Sequence, residues 1–501
     1  MANFREVLGI DYRSLGLFRI SLGIVIIWDL ISRARYLTAH YTEQGVLPTG
    51  AVDVWSNEFP IHFQGMFLSG EPWFAALIFV LAGVSAVAYT IGYQTRVMAF
   101  LCWFLLCTIH VRNELINNSG DVLLVILLFW SILLPIEKKW SVDRMFQNAG
   151  YLPEKTYHFS AASIALLIQV LLMYFFTGLF KFGQTTWMDG SHLYLTFSRF
   201  EFILDPGFLI YQYESLLSFL TYFTVYLELI GPFLLLLPFF FGPLRLVLVM
   251  IFAGFQLGIA LTMFVGLFSV ISMIAMIPFL PGWFWDKLFM ILNSKWPHLN
   301  RIRNSIAGAV SRIVAPMYPE DSAANIEPKM VQRGFNVIAG VLIIYVFAIN
   351  LDGLHYGYYT PHGFQYPSKF LKLDQRWGMF VNPVNEGRWF VGEAVLENGS
   401  KADLIRNGER YDYQANPRNI TKDLQYNRWR KFLREGICHV NGDHYRSLYA
   451  EFLVNQWNQQ AGEEEKVSDF KLIEYRYEIR ENYDHGEPEP KILYEIKNGD
   501  G

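Results

Sequence analysis

Apolar residues run through the first two thirds of the chain in blocks of helix length, and the last third breaks into short alternating stretches. A bilayer core takes about 20 residues of helix. Nine blocks approach that length: roughly 15–32, 72–92, 96–112, 120–136, 160–181, 216–240, 245–264, 267–282 and 334–351. The seventh and eighth come from one apolar stretch, Leu244 to Leu280. It is too long for a single crossing, and the split is placed at Gly266. After Thr360 the pattern changes. Arg388–Leu396 alternates as a strand does, Glu397-Asn398-Gly399-Ser400 supplies a turn, and Lys401–Arg406 returns. Helical periodicity covers about 422–435 and 443–459, alternation resumes over Lys466–Arg480, and a last strand is expected at about 491–497. The expected architecture is an all-α polytopic membrane bundle of about nine transmembrane helices, residues 1–351. It carries a C-terminal α+β soluble domain, residues 352–501.

Composition sharpens this division. The 501 residues are 53% hydrophobic and 17% charged, whereas an ordinary soluble domain carries about 25% charge. Half of the charged residues lie beyond Thr360, so the first 360 are strongly charge-poor. Net charge −4 gives no basic surface for a nucleic acid. Cys102 and Cys107 share one apolar block and Cys438 stands alone in the polar tail, so no disulfide framework is expected. No small-residue cleavage site follows the first apolar block, which reads as a retained span. With a cytoplasmic N-terminus, fifteen lysines and arginines fall on inner segments and four on outer loops. The positive-inside rule therefore predicts a cytoplasmic N-terminus and an extracytoplasmic C-terminal domain.

Charge inside a bilayer costs a few kcal/mol on insertion scales, so Arg19, Asp29, Asp121, Lys181 and Glu228 each require an account. Arg19 lies near the inner end of the first span, where a long side chain snorkels to headgroups. Asp29 is about 15 Å further along the same helix. The two cannot pair, and each is expected to meet another helix or interfacial water. Asp121 follows Asn117-Asn118-Ser119-Gly120 and reads as part of a helix N-cap. Glu228 precedes Gly231-Pro232, where a kink would open a polar pocket. Lys181 closes the run Gly178-Leu179-Phe180-Lys181, just before the loop that carries Trp187. It reads either as an interfacial lysine or as an amine dry enough to act as a base. The chain has no P-loop, dinucleotide glycine fingerprint, HExxH or CxxC. His40, His62, His110, His192, His355 and His362 fall toward the outer side without the spacing of a metal site.

Taken in order, these landmarks resemble the HTTM (horizontally transferred transmembrane domain) family, to which the vitamin K-dependent gamma-glutamyl carboxylases belong. Phe18-Arg19 with Asp29 resembles the opening span. Asn117-Asn118, Trp140-Ser141-Val142-Asp143, and Gly178 through Lys181 to Trp187-Met188-Asp189-Gly190 resemble the landmarks that follow. The HYTEQGVLP stretch at His40–Pro48 looks like the bacterial branch, and the likeness covers most of residues 12–280. It implies a carboxylase-like lyase that uses a reduced vitamin K-type quinol, O2 and CO2 to modify glutamate of an exported peptide or protein. Lys181 matches the initiating base. Asn118, Ser119, Asp121, Trp187 and Glu228 are then expected around the cofactor, with Arg19 and Asp29 in structural or site roles and no metal. Ser119 stands where the carboxylases carry a histidine. Two other readings stay open: a non-enzymatic maturation or immunity factor for a secreted peptide, and a transporter that uses Asp29, Asp121 and Glu228 along a polar path.

Overall fold

The computed structural model describes residues 3–56, 61–146, 156–295, 308, 329–354, 362–382, 385–409, 427–439, 442–480 and 484–497. His355 and the expected helical residues 422–426 lie outside them. Among the described residues, seven helices are long and apolar enough to cross a bilayer: α1 (Tyr12–Ala34), α2 (Pro72–Ile91), α3 (Thr95–Arg112), α5 (Ala161–Lys181), α6 (Glu214–Leu234), α7 (Phe241–Thr262) and α10 (Lys329–Gly353). Two expected spans are shorter helices, α4 (Ser119–Ile132) and α8 (Phe268–Ala275). The chain then bends by 98° into α9 (Gly282–Lys295). The break between α7 and α8 falls where the sequence placed it. Gly266 has φ +70°, which favours glycine, and a Cβ there would sit 2.1 Å from the Asn427 side-chain nitrogen.

Contacts sort the helix ends. At the near end, β1 (Ile10–Asp11) pairs antiparallel with β2 (Tyr157–His158). Arg13 donates to the Gly282 carbonyl at 3.0 Å, Arg245 to the Val7 carbonyl at 3.0 Å, and the Ala161 amide to Asn336 Oδ1 at 3.0 Å. Arg33, Asp121, Lys181 and the C-terminal domain gather at the far end. Among the described residues the bundle is made of the seven long helices, the shorter α4 and the bent α8–α9 pair. The C-terminal domain packs at the end that carries Asp29 and Trp187, away from β1.

Of the two readings open for Arg19, headgroups or a partner within the bundle, the structure shows the second. It is fully buried and does not reach for headgroups. Its guanidinium donates to the Ile136 carbonyl at 3.1 Å and to the Trp140 carbonyl, closing the turn that follows α4. Carbonyls at the end of a helix lack intrahelical donors, and a buried cation beside them satisfies both parties.

The C-terminal domain is an antiparallel sheet in the order β4-β3-β5-β6, formed by β3 (Glu386–Leu396), β4 (Lys401–Asp403), β5 (Val467–Glu478) and β6 (Glu489–Ile496). The expected strand Lys401–Arg406 stops at Asp403 because that side chain accepts hydrogen bonds from the Ile405 and Gly392 amides, each at 3.0 Å, and caps a turn. The sheet packs against α12 (Asp443–Asn458). Its other contact is with the bundle. Trp389, Val391, Ile473 and Tyr477 share a core with Phe197, Phe200, Leu217 and Met263. Ahead of the sheet, residues 362–382 run back against the helices, where Gln375 meets Gln169 at 2.7 Å and accepts from Trp377 Nε1 at 2.8 Å.

A buried ion cluster fastens the domain to the bundle. On α1, Arg33 Nε lies 2.7 Å from Asp29, one helical turn earlier. A second nitrogen of Arg33 reaches Asp121 at 2.7 Å and a third donates to Tyr41 Oη at 2.7 Å. Arg428, on α11 (Asn427–Phe432), enters from the C-terminal domain. It grips Asp121 through both oxygens at 2.8 Å and Asp29 at 2.6 Å. Two carboxylates and two guanidiniums leave no net charge, which is the condition under which ions persist in a low-dielectric interior. Asp121 also keeps its expected capping role, accepting from the Asn118 amide at 2.7 Å.

Removing one partner from a buried ion network costs about 3–5 kcal/mol. Arg428→Ala is expected to lower the unfolding temperature of the detergent-purified protein accordingly. Lys466→Ala removes the exposed pair with Glu463, and an exposed pair is worth about 0–1 kcal/mol, so that variant should unfold as wild type does.

Candidate functional site

The site begins with a glycine. A Cβ on Gly178 would lie 3.0 Å from Glu228 Cβ and from the Leu229 amide nitrogen, so only glycine lets α5 and α6 approach this closely. One turn later on α5 comes Lys181. Its Nζ lies 2.8 and 2.7 Å from the two Glu228 oxygens, and both side chains are almost wholly buried. Pro232, inside α6, lacks the amide that would bond the Glu228 carbonyl four residues back. The helix is thus loosened at the residue that carries the carboxylate.

Trp187 covers the pair. Its ring centroid is 4.8 Å from Lys181 Nζ, a cation–π distance. Its indole N–H donates to the Phe380 carbonyl at 2.9 Å. The His192 ring stacks on its far face at 4.1 Å and 17°. His192 Nδ1 meets Thr186 Oγ1 at 2.9 Å. Burial, reinforced by Lys181 and Arg199, pushes His192 down to about 3, so the imidazole is neutral at physiological pH.

Two adjoining cavities meet at this point. The smaller, about 470 Å³, is apolar and is walled mainly by α5, α6 and α7, with Lys181, Glu228 and Trp187 at one end. Gly254 and Gly258 lie on its wall, are exposed, and have open space where a Cβ would stand. At these two positions the α7 wall carries no side chain. The larger, about 880 Å³, faces the C-terminal domain. Thr196, Val265, Phe268, Met379 and Phe380 line both.

The larger cavity is basic. Arg199, Arg376, Arg430, Lys431 and Arg434 line it against one carboxylate, Glu435. Arg199 is paired with Glu201 at 2.7 Å and Lys431 with Glu435 at 2.9 Å. Among the described residues, no carboxylate pairs with Arg376 or Arg430. Arg430 donates to the Glu201 carbonyl at 2.9 Å and lies 4.1 Å from the Phe202 ring centroid. Burial, opposed by Glu201 and reinforced by Arg199 and Arg434, lowers it to about 9. A bound anion would relieve that strain.

The predicted residues thus divide into groups. Lys181, Glu228 and Trp187 come together at the apolar cavity. Asn118 and Ser119, at the start of α4, line the basic cavity instead. Asp121, expected near the cofactor, faces neither of these cavities; its oxygens are engaged by Arg33 and Arg428. Asp29 joins it there, and Arg19, on α1, donates to carbonyls of the turn after α4. Asp29, His110 and Asp121 offer ligand atoms within 4.8 Å of one another, but guanidinium nitrogens already occupy the carboxylate oxygens. Sequence reasoning did not find Arg376, Arg430 or Arg434, which come from distant segments with no shared spacing. His192 was noticed only as one histidine among many.

The Lys181–Glu228 pair has one chemical property that a lone amine lacks. Moving a proton from Nζ to a Glu228 oxygen converts an ion pair into a neutral amine beside a neutral acid. No net charge is created in the apolar cavity by that transfer.

His40, buried at the far end, is likewise lowered to about 3, by burial and by Arg428 and Arg33. Both imidazoles remain neutral in the native state, while the unfolded chain binds protons as pH falls below 6.5. The unfolded state then holds more protons, so stability decreases as pH is lowered from about 6.5 toward about 3. His192→Gln should flatten part of that slope in denaturant titrations at several pH values.

The family model for the HTTM domain matches residues 8–283. No curated protein and no solved structure matches the chain.

Proposed function

The chain belongs to the HTTM domain family, and from that premise we propose that it is a carboxylase-like integral membrane enzyme acting on glutamate of an exported peptide or protein, with Lys181 as base. The observation that carries this reading is the position of Lys181: buried against Glu228 and Trp187, at the end of an apolar cavity that adjoins a cation-lined one. A quinol of the vitamin K type fits the smaller cavity by chemistry: an apolar, partly aromatic enclosure, a polar pole at one end, and a stretch of wall without side chains at Gly254 and Gly258. Such a cofactor, when bound, supplies with O2 a base stronger than any side chain.

The protein's own groups prepare the site. Glu228 holds the proton that Lys181 must shed before its amine can accept another. Trp187, anchored to the Phe380 carbonyl, excludes water from the pair. The basic cavity suits carboxylates. Arg376 and Arg430 present guanidiniums with no carboxylate partner among the described residues, and a glutamyl side chain provides one. The C-terminal domain contributes Arg430, Lys431 and Phe380, so substrate would enter where the domain meets the bundle. The lysine and arginine distribution supports a cytoplasmic N-terminus and an exported C-terminal domain.

Positioned proton transfer contributes about 10²–10⁴-fold to rate. Lys181→Ala and Glu228→Gln are each expected to reduce carboxylation by about that factor when purified protein is given reduced vitamin K, O2, labelled CO2 and glutamyl peptide. Unfolding temperature serves as the check on folding. Full activity in Lys181→Ala would sink the assignment.

A further inference from the structure

Gln256 is an amide in the middle of α7, a membrane-spanning helix, and is 1% exposed. Its Nε2 donates to Tyr174 Oη at 3.2 Å. Among the described residues its Oε1 has no hydrogen-bond partner, although Gln256 lines the apolar cavity. Other polar groups on the wall are internally satisfied: Thr177, Thr224 and Thr262 donate to the carbonyl four residues back, at 2.6, 2.8 and 2.8 Å. An unmet amide acceptor is costly in such surroundings and calls for a donor.

The unmet group stands apart from Lys181 by a meaningful distance. Tyr174, the residue that holds Gln256, precedes Lys181 on α5 by seven residues. That is two turns on the same face, about 10 Å along the axis. The cavity thus has two polar poles with apolar wall between them. A six-membered ring with hydroxyls at opposite positions, and one hydrogen bond at each end, spans a comparable length.

We propose that Gln256 is the second anchor of this cavity, accepting a hydrogen bond from one hydroxyl of a ring diol while the Lys181–Glu228 pair receives the other. The ligand class is a para-hydroxylated aromatic, and the proposal rests on the quinol reading above. Gln256 is a binding residue and takes no part in proton removal. It confers a preference for ligands oxygenated at both ends over those oxygenated at one.

The test is anaerobic binding to the purified protein, followed by quenching of tryptophan fluorescence. The probes are menadiol and the same ring lacking the second hydroxyl. Losing one neutral hydrogen bond corresponds to about a tenfold weaker dissociation constant. Gln256→Leu should weaken menadiol about tenfold and leave the one-hydroxyl probe unchanged. Tyr174→Phe removes the amide's protein partner but keeps the amide, and should retain menadiol binding; its retention separates ligand contact from a merely structural role. Equal menadiol affinity in wild type and Gln256→Leu would overturn the assignment of Gln256 and leave the quinol reading standing. Failure of wild type to bind either probe would overturn both.

Discussion

Two carboxylates in the far half of the bundle, Asp29 and Asp121, set the terms for everything around them. Neither can remain ionised in an apolar interior without a cation, and Arg33 alone supplies one charge for two. The second comes from Arg428, outside the membrane helices altogether. Neutrality is thus completed only by docking the C-terminal domain, and the domain's position follows from that requirement. Asn427, the neighbour of Arg428, packs on the Gly266 break, so the same helix also meets the gap between α7 and α8.

That placement has a functional result. Arg428 faces the ion cluster, while Arg430 and Lys431 on the same short helix line the basic cavity. Phe380 holds Trp187 over Lys181. One docking event therefore assembles the basic cavity and roofs the apolar one. The two charge clusters obey the same rule of zero net charge, but they differ in character. The Asp29–Asp121 cluster is closed by guanidiniums, which stay protonated, whereas the Lys181–Glu228 cluster is closed by an amine.

Much of this was legible in the sequence where partners lie within one element. The helices, the Gly266 break, the Asn118–Asp121 cap and the strands of the tail follow from periodicity and local chemistry. The i,i+4 spacing of Asp29 and Arg33 is itself a pairing signal. Partners that are distant in the chain left no trace. Arg19 meets carbonyls more than a hundred residues away, so the sequence could place it against a headgroup, another helix or interfacial water without choosing among them. Glu228 lies 47 residues from Lys181, and nothing in the sequence paired the two. Arg376 and Arg430 reach the basic cavity from separate segments, and no residue pattern links them before folding.

Asp29 and Arg428 are separated by 399 residues. At ribosomal rates of about 5–20 residues per second, roughly 20–80 s pass between synthesis of the first helix and arrival of its distant arginine. Once Asp121 has been made, and until Arg428 follows it 307 residues later, the nascent bundle holds a surplus negative charge at its far end, and insertion must tolerate it. A chain cut short between Gly353 and Arg428 would keep every membrane helix and still be left permanently in that half-neutralised condition, a natural mark for quality control to read.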